Sequence, residues 1–464
     1  MSREETEAPS PARSLARFAA TFQLADVPAA VRQRAKLHIL DGLGLGLASN
    51  AYDYAGRAVA GVAAMGTPGN CSVIGRAERL DLRDAALVNG ILIHGLDFDD
   101  THLASIVHPT ATSLPCALSL AEARGDSGRA MLAAFLAGAE TAIRIGAAVK
   151  GGFHHVGFHA TGIVAHFASA LAAGRLLGLD EDQLVAAQGI AGSTASGIQV
   201  FLEEGAWTKR FHPGWAAVAG ITAARLAQNG FVGPSRPYEG KFGLFATHLQ
   251  AEAERGELGE MTRQLGEVWR FGESALKPYP VCHFIHGCAD AAIELHAEVA
   301  HEDIVRVDAL LPEPTLHIVA EPAVAKAHPT TDYEAKFSAQ YVVAACLIKG
   351  HFGLPDLQPD RLADPRILAL AKKVECRADP QSAFPTYFSG GVEIALRDGR
   401  RLRRHVKVNS GAGERAMEPD AVARKFMASA TMTIPAAQAE RIRDAVLQLE
   451  DVSAPDLAAL LRRM

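Results

Sequence analysis

From residue 14 to about residue 270, apolar residues recur at the three- and four-residue spacing of helices, in Ala- and Leu-rich segments broken by Gly, Pro and polar caps. Asp180 followed by Gln183 predicts a capped helix start ahead of LVAAQGIAG. Pro213 is expected to open another helix that closes at Asn229-Gly230. Frequent Gly and Ala inside these segments lower helix propensity but let helix axes approach closely, so tight packing is expected. After Lys277 the pattern changes. Pro278, Pro280 and Pro312 break it, and IVRVDALL and LHIVAE carry β-favouring residues. AKFSAQYVVAACLIKG reads as a helix, and Asp398-Gly399 between alternating segments predicts a hairpin. From about Asp420 the helical period returns. The expected organisation is a helical unit over residues 1–270, an α+β unit over 271–410 and a helical return over 411–464 that can pack back on the first unit.

A chain of 464 residues exceeds what a single core usually holds, which agrees with more than one lobe. Hydrophobic residues at 49% against 21% charged place it among compact folded chains. The 46 Lys plus Arg against 52 Asp plus Glu give a net charge of −6, without the basic surplus that nucleic acid requires. The most apolar stretch, Ala130 to Val149, is interrupted by Glu140 and Arg144, so a membrane span is not expected. The start MSREETEAPSPARS has acidic residues and no apolar segment, which reads as a cytoplasmic protein without a secretory signal. Six scattered cysteines form no CxxC pair and signal neither a disulfide framework nor structural zinc. GLGLG at residues 42–46 follows a helical pattern rather than a strand, so its glycines read as helix packing and not as a dinucleotide loop. GxxxxGK[ST] and GxSxG are also missing, which removes the usual markers of phosphoryl transfer and α/β-hydrolase chemistry.

Ionisable residues gather in four segments. In HGLDFDDTHLASIVHPTA, residues Asp97, Asp99, Asp100, Thr101, His102 and His108 precede an apolar helix. They are open to three readings: a solvated turn with an N-cap, a pocket wall able to hold a substrate and move protons, or a Mg²⁺ site. GGFHHVGFHATG sets His154, His155 and His159 before a helix start, where free N–H groups favour an anion. WTKRFHPGWAA places Lys209, Arg210 and His212 ahead of the helix expected at Pro213. ALKPYPVCHFIHGC holds Lys277 in a Pro-braced loop before Cys282, His283, His286 and Cys288, with a spacing that allows a metal on one helix face but lacks further paired ligands. Together these residues suit a small polyanionic acid deprotonated beside a carboxylate, with cations stabilising the enolate-like charge. An iron–sulfur route has no recognisable cysteine motif, so a mechanism without metal or other cofactor is the simpler expectation.

These four segments closely resemble the MmgE/PrpD family, and the resemblance runs in order along nearly the whole chain. That family includes 2-methylcitrate dehydratase, cis-aconitate decarboxylase and iminodisuccinate epimerase. The resemblance implies a mainly α protein, with a large discontinuous all-helical domain, a smaller α+β lid domain, a homodimer and a metal-free site between the domains. Carried over motif by motif, it implies catalytic roles for Asp97, Thr101, His108, Lys209 and Lys277, with His108 protonating the substrate carbon. It implies substrate contacts from His159, His212, His283 and the lid-domain candidate Tyr333. The implied activity is that of a lyase on a di- or tricarboxylic acid, first as a 2-methylcitrate-type hydro-lyase, then as an iminodisuccinate-type isomerase, then as a cis-aconitate decarboxylase. A scaffold retained only for binding is the contrasting reading, and the full set of ionisable residues argues against it.

Overall fold

The computed structural model describes residues 9–463. Residues 1–8, which carry most of the acidic start read above, and residue 464 lie outside the described residues. The first core is built on the helices Pro109–Arg124, Gly128–Ala148 and Ala160–Leu177, whose residues are buried at almost every position. A helix covered on all sides has no reason to keep a polar stripe, which is why these sequences are apolar all round. Gly128–Ala148 and Ala160–Leu177 are long and apolar enough to cross a membrane, yet 89% and 94% of the apolar windows are buried inside the protein.

Glu140 and Arg144 are buried together within one of these helices and fully satisfied. Arg144 Nε donates to Glu140 at 2.7 Å, its other N–H groups reach the carbonyls of Arg263 and Val268, and Glu140 accepts from the backbone N–H groups of Arg270 and Phe271. A buried ion pair of this kind is costly to break from one side, and here it fastens the segment that leads into the second lobe.

The glycines of GLGLG lie within the helix Ala29–Ala48. A Cβ built on Gly42 would stand 2.8 Å from Thr110, and one on Gly44 would stand 2.8 Å from the Phe426 ring. The helix Leu82–His94 crosses the helix Thr208–Gln228 at Gly90 and Gly214, where any Cβ would collide with backbone. That crossing brings Lys209 up to the loop after His94. The second of these helices starts at Thr208, five residues before Pro213, so Lys209 and His212 sit inside its first turns instead of ahead of it. Proline is tolerated there because only the carbonyl of Lys209 loses a helical partner.

The first lobe also holds a short antiparallel pair, β1 (Pro68–Ser72) and β2 (Arg79–Leu80), so it is mainly rather than wholly helical. The second core surrounds a four-stranded sheet of β3 (Ile304–Leu311), β4 (Val374–Ala378), β5 (Gly390–Leu396) and β6 (Arg401–Val406), in the order β4-β3-β5-β6. Strands β3 and β4 are parallel and the other pairs antiparallel. Helices His286–His296 and Ala339–Lys349 pack against it. The β5–β6 turn contains Asp398 and Gly399, the latter at φ 89°, as the dipeptide predicts. LHIVAE departs from its β propensity: Leu316–Val319 is a short helix following the 3-10 turn Glu313–Thr315. Pro314 fixes φ for that turn and the Thr315 hydroxyl bonds the Pro312 carbonyl at 2.7 Å, and this local chemistry outweighs a preference that depends on a neighbouring strand.

The carboxy-terminal helices Pro419–Ala430, Ala436–Leu447 and Ala454–Leu461 return to the first core, where Phe426, Ile442 and Leu457 are fully buried. The large domain is therefore discontinuous, with the α+β lobe inserted between its two parts.

Candidate active site

Where the two lobes meet, a cavity is lined by polar groups, most of them from the first lobe, and by a largely apolar wall. It is built around Asp97. The helix Leu82–His94 ends at His94, and Asp97 takes φ 52°, a left-handed conformation that Asp tolerates better than most residues. Two backbone bonds at 2.8 Å between Thr101 and Ala275 pin this loop to the strand of chain before Lys277. Lys277 Nζ then reaches the Asp97 carbonyl at 2.7 Å and Oδ1 at 3.1 Å, while Lys209 Nζ approaches the same Oδ1 at 2.7 Å. Burial alone would raise the Asp97 carboxyl, but the two ammonium groups outweigh it and hold the group well below the usual carboxylate range. Two ammoniums thus converge on one buried carboxylate oxygen, an arrangement suited to meeting an anionic group.

The three aspartates of DFDD have separate duties. Asp97 carries the lysines. Asp99 accepts from His94 Nδ1 at 2.8 Å. Asp100 braces His38 at 2.6 Å and the Thr110 hydroxyl at 2.8 Å, and so holds the loop against the core. His108 lies opposite, its Nδ1 donating to the Asp100 carbonyl at 2.7 Å and its Nε2 standing 3.9 Å from Asp97. Burial pushes its imidazole down to about 3 against the opposing pull of Asp99. At neutral pH His108 is thus an uncharged ring whose Nδ1 keeps the proton and whose Nε2 lone pair faces the cavity, the form of a general base.

His159 caps the helix Ala160–Leu177, with its backbone N–H bonded to the Gly197 carbonyl at 2.8 Å. Its Nδ1 meets His212 Nδ1 at 3.0 Å and its Nε2 is buried without a partner. Burial, then His212 and Lys209, keep its ring neutral. His283 accepts from Asn409 through Nε2 at 3.0 Å, which leaves its Nδ1 proton free in the cavity wall. Asp97 Oδ2 and the Thr101 hydroxyl are likewise buried and unpaired. Such atoms are uncommon in a folded interior, and their concentration here marks a place for polar ligand groups.

Of the nine site residues expected from the sequence, seven line this cavity: Asp97, Thr101, His108, His159, Lys209, Lys277 and His283. His212 stands behind His159. Tyr333 is buried next to the site, its ring 5.1 Å from that of the lining residue Phe337, but it does not itself line the cavity. His154, Gln199 and Cys282 also line it, and His94 packs between His108 and His159 with ring centroids at 4.8 and 5.5 Å. His94 opens the DFDD segment and its Asp99 partner is five residues on, which is the one sequence signal it offered.

Among the described residues, two groups could share a cation: His94 with His108 and His159, and Asp97 with Asp99 and His108. Neither is the Cys282–His286 set that the spacing allowed; His286 Nε2 instead lies 3.3 Å from the Val281 carbonyl. The Asp97 group is already neutralised by two lysines, and Lys209 is close enough to depress both His108 and His159, so a cation would meet like charge in the same cavity.

The profile of the MmgE/PrpD N-terminal domain matches residues 13–255, and that of the C-terminal domain matches residues 279–451. The chain is 28% identical to a cis-aconitate decarboxylase-like protein of Aspergillus oryzae, over 94% of this chain and 93% of that protein. It is 28% identical to the cis-aconitate decarboxylase of Homo sapiens, over 91% and 88%. It is 24% identical to the 2-methylcitrate dehydratase of Salmonella typhimurium, over 88% of each.

Proposed function

Because the chain belongs to the MmgE/PrpD family, we propose that it is a lyase acting on a small tricarboxylic acid, by decarboxylation of a cis-aconitate-like substrate. The observation that carries this reading is one cavity combining the Lys209–Asp97–Lys277 cluster with two neutral imidazoles, His108 and His159, and an apolar wall that includes Phe201, Phe337 and Phe388. Lys209 and Lys277 hold substrate carboxylates, assisted by the Thr101 hydroxyl and the His283 Nδ1 proton. A carboxylate placed against the aromatic wall loses the hydration that favours its charge, and departure as CO₂ removes that charge. The electron pair left on carbon spreads into the neighbouring carboxyl, whose growing charge faces the ammoniums. A histidine then delivers the proton that replaces CO₂.

Dehydration is the second reading. The His108 lone pair suits removal of a C–H proton beside a carboxylate, and a histidine opposite can protonate the leaving hydroxyl. Similarity to a cis-aconitate decarboxylase-like protein over 94% of the chain supports placing decarboxylation ahead of the hydro-lyase activity first expected from the resemblance. Proton NMR of the enzyme in D₂O with cis-aconitate, 2-methylcitrate and citrate tests the order. Loss of CO₂ with deuterium in the product is expected, whereas loss of water alone would move the assignment to dehydration.

The homodimer is also proposed. Trp207 at the N-cap of the helix Thr208–Gln228, with Phe211 and Trp215 within it, repeat every four residues and remain 44%, 40% and 39% exposed, an apolar stripe suited to a second copy. A Trp215→Glu substitution is expected to yield monomers in light scattering.

A further inference from the structure

The loop that carries Asp97 runs between the helices Leu82–His94 and Pro109–Arg124, outside any helix or strand. Asp97 itself takes φ 52°, and a non-glycine residue keeps a left-handed backbone only where its surroundings over-determine it. The catalytic carboxylate therefore depends on whatever holds the backbone on either side of it.

We propose that Lys425, on the carboxy-terminal helix Pro419–Ala430, is a positioning residue that clamps this loop and so sets where Asp97 meets Lys209 and Lys277. The proposal rests on the lyase reading of the cavity and serves decarboxylation and dehydration alike. Lys425 Nζ donates to the Phe98 carbonyl at 2.9 Å, and Lys277 Nζ donates to the preceding carbonyl, that of Asp97, at 2.7 Å. Two consecutive carbonyls thus each end on a buried ammonium, one from the entry to the second lobe and one from the returning helix. Lys425 Nζ also stands 3.7 Å from the centroid of the Phe98 ring, so carbonyl and ring of one residue are gripped by the same cation. The Asp41 carboxylate, at 2.8 and 2.9 Å from its two oxygens, aims the ammonium at the loop.

The root of the clamp is fixed by packing. Phe426 follows Lys425 and is fully buried, and Gly44 lies one turn after Asp41 on the helix Ala29–Ala48. A Cβ on Gly44 would stand 2.8 Å from the Phe426 ring and 3.3 Å from its Cα, so glycine at this position lets the two helices close until the lysine can pass Asp41 and reach Phe98. Burial pushes the Asp41 carboxyl up to about 6 against the pull of Lys425, and it lowers Lys425 as well, so the pair is shielded from solvent. Lys425 is not among the residues lining the cavity, and it acts on the reaction only through the loop.

The competing role for Lys425 is to neutralise Asp41 and nothing more, and two variants separate the two. Lys425→Met removes the donor on the Phe98 carbonyl. Asp41→Asn breaks the same ion pair, but its amide oxygen still accepts from Lys425, and an amine in either charge state still donates to Phe98. Both variants are expected to lower the melting temperature. At a temperature where circular dichroism shows both fully folded, Lys425→Met is expected to lose roughly a hundredfold in kcat/KM while Asp41→Asn stays within about threefold of wild type, since small misplacement of a catalytic group is costly. The substrate is whichever of cis-aconitate, 2-methylcitrate and citrate the wild type converts. Equal losses in the two variants, or a wild-type rate in Lys425→Met, overturn the clamp. If Lys425→Met does not fold, Asp41→Asn/Lys425→Met, which removes both charges, takes its place and is read against Asp41→Asn. If the wild type converts none of the three acids, the functional reading falls, and the clamp is judged on resting protein labelled with ¹⁵N-histidine. There, a His108 Nδ1–H signal that moves in Lys425→Met and stays in Asp41→Asn supports it, because that proton is bonded to the Asp100 carbonyl of the same loop. A signal unchanged in both variants, or moved alike in both, overturns it.

Discussion

Replacing Asp97 with Asn removes the carboxylate shared by two buried ammoniums, while keeping the side-chain shape and the tolerance of the left-handed backbone at φ 52°. At the observed 2.7 and 3.1 Å and an effective dielectric of about 20, the two attractions amount to gross terms of about 6 and about 5 kcal/mol. Desolvation of all three groups offsets most of this, and breaking a buried pair from one side leaves a net loss of about 3–5 kcal/mol. Asp97 also joins Lys209 of the first lobe to Lys277 at the entry to the second, so the loss appears in the packing of the lobes together. The assay is denaturant unfolding of wild type and Asp97→Asn, followed by circular dichroism from pH 7 down to pH 3. The Asp97 carboxyl is depressed in the folded state, so its contribution is fully present above the unfolded value of about 3.9 and is lost as pH falls toward the folded value. The gap between the two proteins should be complete at pH 7 and shrink by about 1.4 kcal/mol for each pH unit below about 4. A gap under about 1 kcal/mol at pH 7, or one that widens on acidification, would refute the claim that Asp97 is an ionised anchor for both lysines.

His108→Gln should lower turnover of a hydroxy acid such as 2-methylcitrate by roughly a hundred- to ten-thousandfold with an unchanged circular dichroism spectrum, since dehydration needs the cavity-facing base that it removes. Lys209→Met should abolish most of the thermal stabilisation that cis-aconitate confers on the wild-type enzyme, because that stabilisation scales with ligand affinity. Gly90→Ala should cost about 1–3 kcal/mol of stability in thermal unfolding, since its Cβ meets the backbone of Gly214 at a helix crossing. Dialysis against a chelator should leave turnover intact, and stoichiometric zinc in elemental analysis of active protein would contradict the proton-handling roles given to His108 and His159.

Much of the architecture could be read along the chain because local chemistry and packing agree there. The Asp180–Gln183 capping box, the Asp398-Gly399 turn and the helix-packing glycines of residues 42–46 each state one requirement and meet it. The readings that failed depended on a neighbour. Pro213 looked like a helix start, but the helix begins five residues earlier, in the turn that holds Lys209 on Asp97 and Arg210 on the Gly95 carbonyl. LHIVAE looked like a strand, but among the described residues it pairs with none, and a proline-led turn prevails.

The site divides along the same line. Residue type and motif were enough to point to Asp97, His108, His159, Lys209 and Lys277, because a polyanionic acid demands cations and proton carriers whatever holds them. The family motif singled out Asp97, but the physical difference among Asp97, Asp99 and Asp100 comes from the fold, which sets Lys209, His94 and His38 opposite them in turn. Tertiary contacts also set the working form of each imidazole. A histidine's sequence context does not say which nitrogen keeps the proton; the Asp100 carbonyl settles that for His108, and the meeting of two Nδ1 atoms from segments 53 residues apart couples His159 to His212.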